Sequence, residues 1–303
     1  MSQLAQQIPT SNQTVLAGRK ATAPRCPLPM PHGWFCIGTK ADLEKKQVSA
    51  LRYFDRDLVL FQTESGAFCL MDAYCPHLGA HLAEGGKVDG DCLRCPFHGW
   101  AWDTNGQCAD VPYAKQIPLR AQQVRLQTFP ITECHGLLYA WYHPNAIEPL
   151  WQLQPEPELS EPGWNTDWSM KEWVIKAHIQ EIAENASDPA HFHFVHDSLQ
   201  IPDWKIDYED IWRTAKLELD YITPKQGEKR AYIHSYSQGA GYNATRFTGI
   251  CETFQMGMAT PIDQEHTHVR LFITHQPMEA KPEAQQELAR AIEREIFYQL
   301  EQD

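Results

Sequence analysis

No apolar run in this 303-residue chain approaches the roughly 18 residues that a bilayer-spanning helix needs. Cations are also scarce. Lys and Arg number 26 against 39 Asp and Glu, a net charge of −13. Nucleic acid or an anionic membrane as main partner would require clustered Lys and Arg, so that balance argues against both. The stretch Met1 to Thr14 holds neither a basic segment nor an apolar one, and no secretory leader is expected there. Internal repeats and low-complexity blocks are missing too. The expectation is a cytoplasmic globular protein, with 43% hydrophobic and 21% charged residues in the usual range for a packed core.

An even cysteine count is the other absence. Nine cysteines in a chain long enough to build a core make a disulfide framework a poor explanation. Several of them cluster with histidines between Cys75 and His98, which points to metal.

Composition shifts divide the chain. Residues 1–30 are polar and proline-rich and read as an arm. Residues 31–147 read as an all-β domain of short apolar runs broken by Gly, Asn and Asp. Leu58 to Thr63 and Ala67 to Met71 form a hairpin around Glu64-Ser-Gly66, and Trp100-Ala-Trp102 leads into a tight turn at Asn105-Gly106. Residues 148–170, with four prolines between Glu148 and Gly163, read as a linker. Residues 171–303 read as an α+β domain. It has a helix from Glu172 to about Ala186 with Trp173, Ile175, Ile179 and Ile182 as its apolar face. A β-rich stretch from Trp212 to Pro277 follows, and a last helix opens at Pro282.

The cysteine–histidine pieces are Cys75-Pro-His77-Leu-Gly-Ala-His81 and Cys95-Pro-Phe-His98-Gly-Trp100, that is Cys-x-His, 17 residues, then Cys-x-x-His. Two thiolates suit one iron and two imidazoles the other, the mixed ligation of a Rieske [2Fe–2S] centre. Zinc on Cys92-x-x-Cys95 is the competing reading, but it strands Cys75. Cys92 is then an ordinary buried thiol, and His81 a structural or neighbouring group.

With these motifs the chain resembles the Rieske family. High-potential members carry an extra Cys in each motif; Ala80 and Phe97 stand there here, so no bridge forms. The expected potential is toward the lower end of a range of about −150 to +300 mV.

A Rieske electron carrier needs only about the first half of this chain. The second half contains Asn185, Asp188, His191, His193 and His196. Two histidines and one carboxylate on one face bind Fe(II) in non-haem oxygenases. Spacing alone does not choose the pair. On a regular helix His193 and His196 share a face, whereas His191 and His196 lie about 140° apart. Asp188-Pro189 also reads as the start of a new helical segment, and the histidines as packing beside Phe192 and Phe194. Rieske oxygenase catalytic subunits carry Asn-x-x-Asp-x-x-His-x-x-x-x-His, and Asn185, Asp188, His191 and His196 match every position. The resemblance implies that His191 and His196 bind the mononuclear iron. It further implies that Asp188 links it to a Rieske histidine of the neighbouring subunit, and that His193 is a pocket or packing residue.

In the last helix Leu288, Ile292, Ile296 and Leu300 form an apolar stripe, with Asp303 near its centre and Glu301 nearly opposite. A carboxylate on such a stripe is costly unless it is paired or binds a metal. The family places its third ligand in a Glu-x-Asp-like sequence of a similar helix, and Glu301-Gln-Asp303 matches; a frayed, solvated end is the competing reading. Family members usually run several tens of residues beyond this acid, whereas this sequence stops on it.

Gly106 to Lys115 and the Glu301-Gln-Asp303 helix make the chain most similar to the oxygenase components of 3-ketosteroid 9α-hydroxylases and to cholesterol 7-desaturases. What that resemblance implies is specific. The fold is an all-β Rieske domain plus a helix-grip-like α+β domain, an antiparallel sheet flanked by helices. The cofactors are a [2Fe–2S] cluster and Fe(II). An NAD(P)H-dependent reductase with flavin and iron–sulfur groups supplies electrons, and O₂ is used to hydroxylate or desaturate a bulky apolar substrate in a homotrimer. An oxygenase for an aromatic or tetrapyrrole substrate, and a Rieske electron-transfer protein, are the alternatives. His234, Tyr242, Arg246 and Met256 would line a pocket or serve as plain sheet packing.

Overall fold

The computed structural model describes residues 25–161, 163–164, 168–196, 198, 200–223, 227–248, 252–277 and 282–303. Most of the arm expected over 1–30, residues 1–24, lies outside the described residues. Three small antiparallel sheets come first. Gly33–Thr39, Leu137–Tyr142 and Ile131–Cys134 form one. Val48–Tyr53, Arg56–Gln62, Phe68–Asp72 and Thr128–Phe129 form the second. The third joins Lys87–Asp89, Cys92–Arg94, Ala101–Asp103 and Cys108–Asp110, and the cysteine–histidine loops border it. Both expected hairpins are present: Leu60 pairs with Leu70, and Trp102 with Cys108 across the Asn105-Gly106 turn.

A seven-stranded antiparallel sheet follows, in the order Ser169–Ile175, Thr267–His275, Thr253–Pro261, Tyr242–Thr248, Gly227–Gln238, Trp212–Thr223, Lys205–Glu209. Strand alternation decides what each face does. Tyr242, Ala244, Phe254, Met256, Met258 and Phe272 point one way, into a core shared with Trp34, Tyr139 and Trp141 of the first sheet. His234 and Arg246 face each other in register on that same side. None of the four residues considered for a pocket therefore faces the other side. That opposite face carries Trp173 and His275 and receives the long helix Pro282–Gln302. Trp173 meets Phe297 edge-on at 6.2 Å, and His275 approaches Glu293 at 3.4 Å. A long helix laid on an antiparallel sheet agrees with the helix-grip-like α+β domain that the resemblance implies.

The helix expected over 172–186 is half right. Residues Ser169–Ile175 instead form an edge strand, with Glu172 opposite Arg270 and Trp173 opposite Val269. Trp173 and Ile175 are two apart, a strand period, and the neighbouring strand offers a complete ladder. The helix begins only at Ile179, behind a capping box. His178 Nδ1 accepts the Gln180 N–H (3.1 Å), and Glu181 accepts the His178 N–H (3.1 Å).

The proline-rich segment after Glu148 is no loose spacer. Trp34 Nε1–H donates to the Trp151 carbonyl (2.9 Å), and Gln154 and Gln238 exchange two bonds of 2.8 Å. Glu156, 1% exposed, accepts the hydroxyls of Tyr236 and Tyr242, while its N–H donates to His135 Nε2 (2.8 Å). Burial pushes the Glu156 carboxyl up to about 7.

Candidate metal centres

The two cysteine–histidine loops share one backbone closure. The Cys75 N–H bonds the Ala80 carbonyl (2.9 Å), and the Cys95 N–H bonds that of Trp100 (2.8 Å). Four residues after each cysteine a glycine returns its N–H to the cysteine carbonyl, at 2.9 Å from Gly79 and 3.0 Å from Gly99. Gly79 (φ 76°) and Gly99 (φ 72°) hold left-handed conformations that strain any side chain.

This closure buries Cys75 and Cys95 side by side. Burial, together with the adjoining Cys95 thiol, pushes Cys75 up to about 11. The His77 and His98 rings lie 4.8 Å apart, His77 stacks on Trp100 at 4.3 Å, and His98 Nδ1 is buried without a hydrogen-bond partner. Two buried thiols side by side and two close imidazoles, one with an orphaned nitrogen, fit a [2Fe–2S] cluster, which takes thiolates on one iron and imidazoles on the other. Cys92 instead sits on a short strand opposite Asp103, half-buried among Asp89, Asp91 and Asp103, so Cys95 is paired with Cys75 and not with Cys92. His81 turns its Nδ1 to the Ala83 N–H (3.2 Å) and its ring to Tyr74, a structural role. All eight described cysteines are free.

The second group forms where a short helix stops. Asp188 Oδ1 accepts the Ala190 N–H (2.8 Å) in a turn that leads into the short helix Ala190–Phe194, whose cap position is Pro189. Because the helix ends at Phe194, His196 is released from the helical period that would hold it 140° from His191. The Ser198 N–H returns to the Phe192 carbonyl (2.9 Å), and His193 Nδ1 is occupied by the Ser198 carbonyl (2.7 Å). The His191 and His196 rings then meet at 5.1 Å and 82°. Asn185 closes the preceding helix, its carbonyl accepting the Asp188 N–H (3.2 Å).

The end of the long helix completes the group. Asp303 Oδ1 lies 3.0 Å from His196 Nε2, with side chains 17% and 5% exposed. Ligand atoms of His191, His196 and Asp303 all lie within 4.8 Å of one another, the one such His, Cys, Asp and Glu group among the described residues. His191 Nδ1 is buried with no hydrogen-bond partner. Two imidazoles, a carboxylate and an orphaned ring nitrogen fit a ferrous ion held on one face. Glu301 turns away to Lys171, whose ammonium also lies over Trp173 (5.2 Å) and Phe297 (5.7 Å).

Two neighbours of this site escape motif reading. Gln302 Oε1 lies 3.2 Å from His196 Nδ1, a contact signalled in sequence only by adjacency to Asp303. Arg213, buried on the helix-facing side of the sheet, donates to the Ala186 carbonyl and lies over Trp204 (5.8 Å), which meets Phe192 (5.4 Å) beside the histidines. Burial lowers its pKa. Only strand register reveals which face Arg213 takes.

Residues 33–130 match the family model of the Rieske [2Fe-2S] domain, and residues 140–303 match that of the 3-ketosteroid 9α-hydroxylase C-terminal domain. A cholesterol 7-desaturase of Xenopus laevis is 40% identical over 167 residues, 55% of this chain and 36% of that protein. A probable 3-ketosteroid-9α-monooxygenase oxygenase component of Rhodococcus rhodochrous is 40% identical over 167 residues, 54% of this chain and 41% of that protein. The matched stretch thus spans less than half the length of these relatives. Among solved structures, dicamba monooxygenase bound to dicamba shares the fold at 17% identity and a TM-score of 0.61, over 88% of both chains. NdmA of Pseudomonas putida CBB5 with caffeine does so at 20% identity and a TM-score of 0.66, over 88% of this chain and 79% of that one.

Proposed function

Because the chain belongs to the Rieske non-haem iron oxygenases with a catalytic domain of the 3-ketosteroid 9α-hydroxylase family, we propose that it is the terminal oxygenase of a multicomponent monooxygenase. In this reading an NAD(P)H-dependent reductase with flavin and iron–sulfur groups supplies electrons. O₂ is spent on hydroxylating or desaturating a bulky apolar substrate, a steroid or sterol. The observation that carries the reading is the presence of two preformed donor sets in one chain. An electron carrier needs the first and has no use for the second.

When bound, the cluster supplies single electrons and the ferrous ion the place where O₂ is reduced. Cys75 and Cys95 hold one cluster iron as thiolates, and His77 and His98 hold the other. His191, His196 and Asp303 would hold the ferrous ion. Asp188, with Asn185 fixing its loop, would hydrogen-bond a cluster histidine of a neighbouring chain in a head-to-tail homotrimer. The division into an arm (1–30), a Rieske domain (31–147), a linker (148–170) and a catalytic domain (171–303) belongs to the same reading. So does a cytoplasmic setting, supported by free thiols.

The substrate class rests on relatives named for cholesterol and 3-ketosteroids and on the sheet face beneath the helix. Ala215, Leu217, Gly257, Leu271 and Ile273 on that face are small or apolar. They alternate with Ser235, Asn243 and Thr245, which are hydrogen-bonded to one another and could meet a lone substrate oxygen. Incubation with a reductase, NADH, O₂ and a panel of sterols, ketosteroids and small aromatic acids tests the proposal. A hydroxylated steroid carrying one atom of labelled O₂, or a dehydrogenated sterol, is expected. Turnover of aromatic acids alone, with no steroid bound, overturns the substrate class.

A further inference from the structure

Three consecutive residues at the end of the long helix each meet a different partner atom. Glu301 is fixed by Lys171, Gln302 meets one nitrogen of His196, and Asp303 meets the other. Gln302 and Asp303 therefore grip a single imidazole from its two ends, 3.2 Å from Nδ1 and 3.0 Å from Nε2. The last helical bond, from the Asp303 N–H to the Gln299 carbonyl (3.3 Å), keeps both on the same turn.

The chemistry of that grip depends on where the imidazole carries its proton. A neutral imidazole has one N–H and one lone pair. The Gln302 side-chain carbonyl oxygen faces Nδ1, and an oxygen can only accept, so Nδ1 carries the hydrogen. In the neutral ring Nε2 then has the lone pair, 3.0 Å from a carboxylate oxygen, whereas a doubly protonated ring would donate to both oxygens and leave no lone pair for a metal. Two acceptors that close repel unless a cation lies between or beside them. With the amide reversed, its NH₂ would donate to Nδ1 and Nε2–H would donate to Asp303. That closed imidazole–carboxylate pair has no lone pair left for a metal.

From this geometry we propose that Gln302 is a positioning residue for the mononuclear metal centre. It holds His196 in the Nδ1–H tautomer and so keeps Nε2 available as a ligand. The inference rests on reading His191, His196 and Asp303 as the metal ligands. Partners of this kind typically contribute about 10- to 100-fold in metal affinity.

The test is anaerobic titration of the cluster-loaded chain, stripped of its mononuclear metal, with Co(II) as a spectroscopic probe. Gln302→Leu should bind Co(II) about 10- to 100-fold more weakly, with the Rieske absorption unchanged. Gln302→Glu, which keeps an acceptor at Nδ1, should restore affinity to the parent's or better. Parent-like affinity in Gln302→Leu overturns the inference. So does a Gln302→Glu variant as weak as Gln302→Leu, because the acceptor then has no role. His191→Ala, titrated in parallel, separates the two levels. If it binds Co(II) like the parent, the metal reading itself fails, whatever Gln302 does.

Discussion

Among the described residues the Asp188 side chain has one hydrogen-bond partner, the Ala190 N–H at 2.8 Å, in a turn that leads into the helix Ala190–Phe194. Its second oxygen would serve a neighbouring chain, and substitution separates the two roles. Asn makes such a turn as Asp does, so Asp188→Asn should keep the fold and both metals. As a charged link between a cluster histidine and an iron histidine, it should cost about 10- to 100-fold in turnover or more. Steady-state rates with reductase in excess measure this. A rate near the parent's leaves Asp188 only the turn. At this scale the ligand motifs were legible because cluster chemistry fixes residue types at short spacing. Gln302 and Arg213 were not legible, because their partners, His196 and the Ala186 carbonyl, lie far away in sequence.

Among the elements, the segment after Glu148 departs most from its composition. Prolines mark it as irregular, and it is irregular, yet it is bolted to the large sheet through Gln238, Tyr236 and Tyr242. The buried Glu156 carboxyl has no ion-pair partner among the described residues, and burial raises it from 4.5 to about 7. The folded chain therefore holds this proton at pH values where the unfolded chain has lost it. Stability from this group is full below about 4.5 and declines as pH rises to about 7, with a flat level above. Gln keeps an acceptor for a phenol and cannot ionise. Glu156→Gln should thus flatten the fall in thermal midpoint between about pH 5 and 7.5, as followed by calorimetry. An unchanged slope would assign the pH dependence to other groups. The edge strand Ser169–Ile175 was missed for a related reason. Its partner strand lies about a hundred residues downstream, and a local periodicity cannot weigh a distant ladder.

For the whole molecule, the proposed homotrimer makes a prediction that no single chain can meet. If electrons pass from the cluster of one chain to the iron of the next, two inactive variants should complement each other. His98→Ala should lack the cluster, and His191→Ala should lack the mononuclear iron. Neither should turn over alone, whereas co-assembled mixtures should recover part of the parent rate. Mixed trimers that stay inactive would place electron transfer within one chain. The exposed Leu78, Phe97 and Tyr113 near the cluster loops are the apolar surface such a contact would cover.

Whether one chain carries two different metal centres is the claim on which the rest depends. The direct measurement is iron and acid-labile sulfide per chain after anaerobic reconstitution, repeated on Asp303→Ala. The parent should hold two labile sulfides with two irons for the cluster and one further iron. Asp303→Ala should keep the sulfide and lose only the extra iron. Two irons and two sulfides in both proteins, or zinc without sulfide, would contradict the account.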